Sequence, residues 1–338
     1  MKLLVTGGAG YIGSTVATLL LEAGHQVVVL DDLSTGHEVA IPAGAEFVRG
    51  RVHDIAGDVI TPAAGFDGVL HFAAYIAAGE SVSAPEKYWE NNVLGSLRLL
   101  DAIRAAKVPR LVFSSTANIY GNPAEQPILE SSDVAGRGIS ETSVAAPPNP
   151  YATSKLAVEY AITGDTTAYG LAAVSLRYFN AAGALIRPDG ARGERHDPET
   201  HLIPNALRVA LGKREKLSLF GDDYPTPDGT CVRDYIHIAD LASAHLLALA
   251  AIQPGEHRLY NLGNGTGFSN REVIDAVREV TGHPIPVEMA PRRPGDPAVL
   301  VASSAKARAD LAWTPEHPSL EAIITDAWTF ARPPFSPI

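Results

Sequence analysis

The chain has 338 residues, 46% of them hydrophobic, with 27 Lys and Arg against 38 Asp and Glu and a formal net charge of −11. That length carries about two domains or one large one with a sizeable core, and the acidic balance repels a phosphate backbone, which excludes broad nucleic-acid binding. The single cysteine, Cys231, excludes an internal disulfide and has no Cys or His beside it at zinc-ligand spacing, so a reducing cytoplasm is expected.

The first apolar run, 2–6, leads straight into Thr6-Gly7-Gly8 and is too short for a signal peptide or a membrane span. Short β-rich runs over 2–6, 26–31, 46–49, 68–72, 110–114 and 172–178 alternate with helical stretches over 11–23, 85–106 and 151–164. The runs are near-continuously apolar, as strands are when helices cover both faces, so a doubly wound parallel sheet is expected. After residue 178 come Gly-, Pro- and charge-rich loops at 187–200, 221–230 and 291–297, between helices at 202–211, 238–251, 270–281 and 320–331. The helix at 238–251 is interrupted by Asp240, Ser243 and His245 and reads as buried, not membrane-spanning. The expected division is 1–178 for the sheet domain, with later segments returning to it, 179–331 for a smaller α/β ligand lobe, and a frayed tail at 332–338.

Directly after the first strand, Gly7-Gly8-Ala9-Gly10-Tyr11-Ile12-Gly13 matches both G-x-G-x-x-G and G-x-x-G-x-x-G. Such glycines allow a tight turn and close backbone approach to a pyrophosphate, while the helix N-terminus supplies N–H donors and positive dipole. Asp31 ends the second strand 18 residues after Gly13, where an acid suits the ribose hydroxyls of NAD and repels the extra phosphate of NADP. Asp32 follows at once, so either aspartate can face the ribose. Asp32-Leu33-Ser34-Thr35-Gly36 is also good turn chemistry, which makes a loop cap the competing reading for Asp32.

Tyr151 and Lys155, four apart at the start of a helix, share one face. An ammonium about 6 Å from a phenol contributes roughly 2–3 kcal/mol at an effective dielectric near 20, which brings Tyr151 toward use as a base near neutral pH. Thr116 follows the strand at 110–114, at the carboxyl end where open α/β sheets bind ligands. Its hydroxyl can share a substrate oxygen with Tyr151, or simply cap the strand end. His196, His201, His237 and His245 fall at scattered spacings and read as surface, core or substrate-loop residues, so no metal site is expected.

Together with TGGAGYIGS (6–14), LDDLSTGH (30–37), HFAA (71–74), GESV (79–82), ENNVLGSLRLL (90–100), FSSTANIYG (113–121), YATSK (151–155), LRYFNAAGA (176–184), GDDYPTPDGTCVRDYIH (221–237), YNLGNGTGFS (260–269) and APRRPGD (290–296), these residues resemble the extended short-chain dehydrogenase/reductase family over essentially the whole chain. The long 221–237 stretch resembles its sugar-nucleotide 4-epimerases in particular. The resemblance implies a Rossmann-type doubly wound parallel sheet with a smaller α/β substrate-binding lobe. It also implies a tightly held NAD and reversible 4-epimerisation of a UDP-hexose, UDP-glucose or UDP-galactose, through a transient 4-keto sugar. Tyr151 would take the O4 proton, Thr116 would orient O4 and Lys155 would tune Tyr151. Gly7, Gly10, Tyr11, Ile12, Gly13, Asp31, Asp32, Phe72, Ala73, Ala74, Asn91, Lys155, Tyr178 and Phe179 would surround NAD. Thr116, Tyr151, Asn180, His201, Leu202, Ser218, Phe220, Arg233, Arg293, Asp296 and Leu300 would surround the UDP-sugar, with Arg233 and Arg293 able to fork onto a diphosphate. A homodimer built on the 85–106 and 151–164 helices is also implied.

The chain departs from the family pattern in places. Gly50-Arg51-Val52 lacks the acid that often meets adenine, Tyr75-Ile76 replaces an expected Lys, and His201 stands where Asn is common. The 131–146 segment is long and reads as a surface insertion rather than a lid. Leu300 holds a gate position where bulk accompanies plain hexoses and smallness N-acetyl sugars, so UDP-N-acetylglucosamine stays open, as do UDP-glucuronate and UDP-xylose. Thr116 is followed by Ala117 and Asn118, not the Asp-Glu pair of 4,6-dehydratases, and the presence of both Tyr151 and Lys155 argues against a non-catalytic NAD-binding sensor.

Overall fold

The structure is a computed structural model that describes residues 1–123, 138–188, 190–293 and 296–335. The chain runs β1 (Lys2–Thr6), α1 (Tyr11–Glu22), β2 (Gln26–Asp31), β3 (Glu46–Arg49), α2 (Val52–Val59), β4 (Gly68–His71), α3 (Ala78–Ser83), α4 (Pro85–Tyr88), a π-helical turn Trp89–Leu94, α5 (Gly95–Ala106), β5 (Arg110–Ser114), α6 (Pro150–Tyr169) and β6 (Ala172–Tyr178). It continues through β7 (Asn180–Ala182), β8 (Ala184–Arg187), β9 (Gly190–Gly193), α7 (Leu202–Ala210), β10 (Leu217–Phe220), β11 (Val232–His237), α8 (Ile238–Ala251), β12 (His257–Leu262) and β13 (Gly267–Ser269). It closes with α9 (Asn270–Thr281), β14 (Val287–Ala290), β15 (Val299–Leu300), α10 (Ala305–Leu311) and α11 (Leu320–Ala331).

The contacts divide the described residues into two compact units, 1–119 with 147–177 and 242–260, and 120–146 with 178–241 and 261–338. Most of α8 falls in the first unit, and the described residues of 120–146 fall in the second. None of the helices among the described residues is long and apolar enough to cross a membrane.

The first unit is built on a seven-stranded sheet in the order β12-β6-β5-β4-β1-β2-β3. The pairs from β3 through β6 run parallel, which is the doubly wound order whose switch point lies between β1 and β4. Burial is nearly continuous along β1, β2 and β4, because helices cover both faces of the sheet. Leu4, Val28, Leu99, Ile103, Phe113 and Val158 sit in the core on one side.

Two helices differ from their expected form. Asn149 caps α6 by accepting from the Ala152 amide at 2.9 Å, and Pro150 occupies the first turn. The helix runs through Gly164 to Tyr169 because the residues beyond are anchored: Asp165 accepts two hydrogen bonds from Arg104 Nη1, at 2.9 and 2.6 Å. Gly170, left-handed at φ 73°, ends it. The expected single helix over 85–106 is instead α4, the wider π-helical turn and α5 in succession.

In the second unit, β11 pairs with β7, β13 and β15, β10 pairs with β14, and β8 with β9 form a hairpin. Its core joins Ile203, Leu207, Val273, Val277, Ile323, Ile324 and Trp328 from α7, α9 and α11. A capping box at Ser269 and Glu272 starts α9. Residues 131–137 of the expected surface insertion lie outside the described residues. Of the part that follows, Thr142, Val144 and Ala146 are exposed, whereas Ile139 is buried, bridges to Ala302, and accepts at its carbonyl from Asn261 Nδ2 at 2.7 Å. The tail is held as far as it is described, with the Phe335 carbonyl accepting from Arg195 Nη2 at 2.9 Å. Residues 336–338 lie outside the described residues.

Glu159 and Arg177 form an ion pair at 2.5 Å with side chains only 3% and 6% exposed, and Ser115 Oγ donates to the same carboxylate at 2.5 Å. Removing one partner of such a pair strands a buried charge. Glu159→Ala is expected to lower unfolding free energy by about 3–5 kcal/mol, and Glu159→Leu with Arg177→Met to recover much of that; urea unfolding of the three proteins checks both.

Candidate active site

The loop from β1 to α1 needs its glycines. Gly7 is left-handed at φ +72°, and a Cβ there would stand 2.5 Å from the Ala73 amide nitrogen, while a Cβ on Gly13 would stand 2.2 Å from the Gly7 carbonyl oxygen. Gly7, Gly10, Tyr11, Ile12 and Gly13 thus form one tight turn against the strand end that carries Phe72, Ala73 and Ala74. No side chain caps α1 and no acid stands in its first turn, which leaves the positive end of its dipole available to an anion.

Asp31 closes this loop. Its carboxylate accepts from the Ala9 amide at 3.0 Å and the Leu33 amide at 2.8 Å, and burial pushes its pKa up against those two bonds. Asp32 instead accepts from the Ser34 amide at 2.9 Å in an exposed turn, the cap chemistry foreseen for it. Of the two aspartates, Asp31 is the one tied to the glycine loop.

Tyr151, Thr116 and Lys155 come together at the carboxyl end of β5. The Thr116 hydroxyl stands close enough to the Tyr151 phenol to pull its pKa down, and it accepts from the Asn118 amide at 3.1 Å, which caps the strand end. Lys155 is 3% exposed; its Nζ donates to the Ser114 carbonyl at 2.8 Å and lies 5.0 Å over the Phe113 ring. Burial lowers the Lys155 pKa to about 7, with Glu159 opposing. Tyr151 departs from expectation. Burial raises its pKa, and Thr116 is what opposes that rise. The ammonium expected to lower the phenol is turned to the Ser114 carbonyl.

Around this group stand residues with no motif to announce them. Asn92, buried in the π-helical turn, accepts from the Tyr75 amide at 2.9 Å and donates to the Tyr75 carbonyl at 3.0 Å and to Ser154 Oγ at 3.1 Å. It ties the loop after β4 to α6. Asn91, the residue expected at the cofactor, donates to the Asn92 side chain at 3.1 Å. His71 is fully enclosed between Thr6 Oγ1 at 2.6 Å and Ser96 Oγ at 2.8 Å, a contact set by the Thr6–His71 register of β1 and β4. Burial and then the Lys155 charge lower its pKa to about 3. Tyr88 presents an edge to the Tyr151 ring with centroids 6.4 Å apart, and Phe72 lies 4.9 Å from the His245 ring.

In the second unit, β11 gathers three of the expected sugar-nucleotide residues. Arg233 registers with Leu300 on β15, and Asn180 Nδ2 donates to the Asp234 carbonyl at 3.0 Å. The Arg233 guanidinium faces Asp296 at 3.7 Å, and that of Arg293 lies 4.1 Å over the Phe220 ring. Ser218 Oγ accepts from Arg214 Nη2 at 3.4 Å. Tyr178 ends β6, the Phe179 amide donates to the Leu262 carbonyl at 3.1 Å, and Leu202 opens α7. His201 turns its Nδ1 to Glu194 at 2.7 Å and Glu199 at 2.8 Å, and these carboxylates hold its pKa well above the ordinary histidine value against the pull of burial. His196 shares the Glu194 carboxylate, so two of the four scattered histidines converge after all. His237 instead stacks on His317 and meets Asp326.

Residues 3–263 match the model of the NAD dependent epimerase/dehydratase family. The chain belongs to this family. Within the epimerase/dehydratase family it is 58% identical over 331 residues to a UDP-glucose 4-epimerase of Streptomyces lividans, covering 97% of this chain and 95% of that protein. It is 54% identical over 330 residues to a UDP-glucose 4-epimerase of Corynebacterium glutamicum, covering 98% and 95% of the two chains. The crystal structure of UDP-glucose 4-epimerase from Bifidobacterium longum in complex with NAD+ and UDP superposes with a TM-score of 0.88 at 35% identity, over 98% of both chains.

Besides Asn92, His71 and the Glu159–Arg177 pair, the sequence reading of this epimerase/dehydratase member passed over Asp234. That carboxylate is fully buried and accepts from the amides of Asn264 at 2.8 Å, Gly265 at 3.0 Å and Ala302 at 3.1 Å, while burial raises its pKa to about 7. A signal existed for it, an acid inside a strand between Arg233 and Tyr235, but none for Asn92.

His71 generates a pH prediction. A histidine whose pKa falls on folding binds fewer protons than in the unfolded chain, so its stabilisation is whole above pH 6.5 and is lost as pH falls toward 3. At pH 5.5, about 1.4 kcal/mol of the stability seen at pH 7.5 is expected to be missing through this group. His71→Gln removes that part of the slope, and urea unfolding at the two pH values measures it.

Proposed function

We propose that the chain interconverts UDP-glucose and UDP-galactose by reversible 4-epimerisation with tightly held NAD. The observation that carries this reading is the Thr116–Tyr151–Lys155 group at the carboxyl end of β5, in a chain whose relatives are named for that reaction. The glycine turn fits a dinucleotide, because side chains at Gly7 and Gly13 would fill the space the backbone needs and the α1 N-terminus lacks a capping anion of its own. Bound there, NAD would supply reversible hydride acceptance for the C4 position of the sugar. Gly7, Gly10, Tyr11, Ile12 and Gly13 would hold the pyrophosphate and Asp31 the ribose, with Asp32 beside it, while Phe72, Ala73, Ala74, Asn91, Lys155, Tyr178 and Phe179 would line the rest of the cofactor.

Tyr151 removes and returns the O4 proton. Thr116, beside the phenol, holds O4 next to it. Lys155, which donates to the Ser114 carbonyl in this structure, tunes Tyr151 by turning its ammonium toward the phenolate as it forms. Arg233 and Arg293 take the diphosphate, where two guanidinium forks supply the positive charge that the net −11 of the chain withholds. Asn180, His201, Leu202, Ser218, Phe220, Asp296 and Leu300 complete the sugar-nucleotide site. Leu300, of intermediate bulk, decides for neither plain nor acetylated hexoses, so the latter stay a second substrate class to be assayed.

A homodimer built on α5 and α6 is part of the proposal. The π-helical turn, α5 and α6 together expose Trp89, Leu94, Leu97, Tyr160 and Tyr169, an apolar surface of the kind a partner covers. A lone buried Cys231 suits work in the reducing cytoplasm.

Incubation with UDP-galactose and no added reductant is expected to yield UDP-glucose. Tyr151→Phe should lose at least about 10²-fold in turnover, the lower end of what a general base contributes, while retaining NAD after gel filtration. Wild-type turnover in the variant would overturn the assignment of the base. Assays for 4-epimers of UDP-N-acetylglucosamine, UDP-glucuronate and UDP-xylose fix the substrate range. Light scattering is expected to give twice the chain mass, and Leu97→Glu to shift it to the single chain.

A further inference from the structure

The second unit holds a cluster of four metal-ligating side chains, of which the proposed sugar-nucleotide site uses only His201. Glu194, His196, Glu199 and His201 occupy the eight residues between β9 and α7, spaced E-x-H-x-x-E-x-H. His196 Nδ1 lies 2.9 Å from Glu194 Oε1 and 4.0 Å from Glu199 Oε2. His201 Nδ1 lies 2.7 Å from Glu194 Oε1 and 2.8 Å from Glu199 Oε1. One donor atom from each of the four falls within 4.8 Å of the other three. The carboxylate side chains are withdrawn from water, 8% and 2% exposed, while the imidazoles stay reachable at 24% and 45%.

Two buried carboxylates facing two imidazole nitrogens are an expensive arrangement unless cationic charge sits among them. Protons on the histidines are one source of that charge, and a metal ion is the other. A tetrahedral ion with bonds of about 2.0–2.1 Å needs donors about 3.3 Å apart, and the separations observed here straddle that spacing. We propose that Glu194, His196, Glu199 and His201 form a binding site for a divalent first-row transition ion of the zinc type.

The donor set selects the class. Two imidazole nitrogens and two carboxylate oxygens, without thiolate, suit Zn²⁺ and its neighbours, whereas Ca²⁺ and Mg²⁺ call for oxygen ligands and more of them. The surroundings pre-arrange the donors. Glu199 Oε1 accepts from the amides of Thr200 at 2.7 Å and His201 at 2.8 Å. Asn205 Nδ2 on α7 donates to the His201 carbonyl at 2.9 Å and the Glu199 carbonyl at 3.2 Å, and Arg208 Nη2 donates to the His196 carbonyl at 3.3 Å. Such outer hydrogen bonds orient metal ligands. The bound ion ties the end of the β8–β9 hairpin to the start of α7.

The test uses the full chain, stripped with EDTA, dialysed and titrated with ZnCl₂ against a chromogenic chelator at pH 7.5. One equivalent per chain is expected, with a rise in melting temperature on loading. His196→Ala and Glu194→Gln are each expected to weaken binding at least about tenfold. His283→Ala, an exposed histidine outside the cluster, is expected to bind as the wild type does. Melting curves of the metal-free variants, matching the metal-free wild type, separate lost ligands from lost folding. A Co²⁺-loaded sample should show the visible absorption of a four-coordinate ion, which does not depend on turnover. Failure of the stripped wild type to bind Zn²⁺, or equal binding by folded His196→Ala and wild type, overturns the site.

Discussion

A single buried ammonium sets the terms for the chemistry-bearing part of the first unit. Lys155 is 3% exposed, and burial works against its charge while the Glu159 carboxylate one turn along α6 supports it and the Ser114 carbonyl accepts from its Nζ. Arg177 and Ser115 converge on the same buried carboxylate. Burial first and the Lys155 charge second lower the pKa of His71, whose two ring nitrogens meet Thr6 and Ser96. Strand register, helix packing and the hydrogen bonding of these side chains are thus answers to the same electrostatic problem. The low dielectric that makes it costly also makes each of these bonds stronger than its counterpart in water.

What was legible in the sequence was whatever repeats along a local period or obeys a turn rule. The parallel strands announced themselves as apolar runs, the glycine turn by the residues only such a turn requires, and Tyr151 with Lys155 by a helical spacing. Asp32 could be read as a cap because its partner, the Ser34 amide, is two residues away. Long-range pairings left no such trace. Asn92 meets Tyr75 and Ser154 because a helix widens by one residue, and Glu159 meets Arg177 because β6 lies beside β5, facts of packing that no window of sequence contains. The rise in the Tyr151 pKa belongs here too: spacing placed an ammonium nearby but could not say that it would point at a carbonyl.

The histidines are the instructive failure of the same kind. Counted along the chain, His196 and His201 have four residues between them, a spacing that by itself names no acid partners, yet a loop closed by Glu199 onto its own following amides folds them onto one pair of acids. Asp234 does comparable work elsewhere in the second unit, gathering three backbone amides from two separate stretches of chain around β11. In both cases an acid serves as the hub on which irregular backbone is wound, since loops without ladders must find their hydrogen-bond acceptors in side chains.

The π-helical turn at Trp89–Leu94 carries a consequence for how this chain tolerates insertions and deletions. A π-helical turn holds one residue more than the α-helical turn it replaces, so a single deletion there can close it to α-geometry while α5 keeps its faces, with Ser96 on His71 and Leu97 outward. A residue lost from the first turn of α5 meets no such slack, and each residue advances an α-helix by about 100°, so everything beyond it on α5 would swing by that angle. The wide turn is thus the one place along this helical stretch where the chain can shorten without turning the helix that follows.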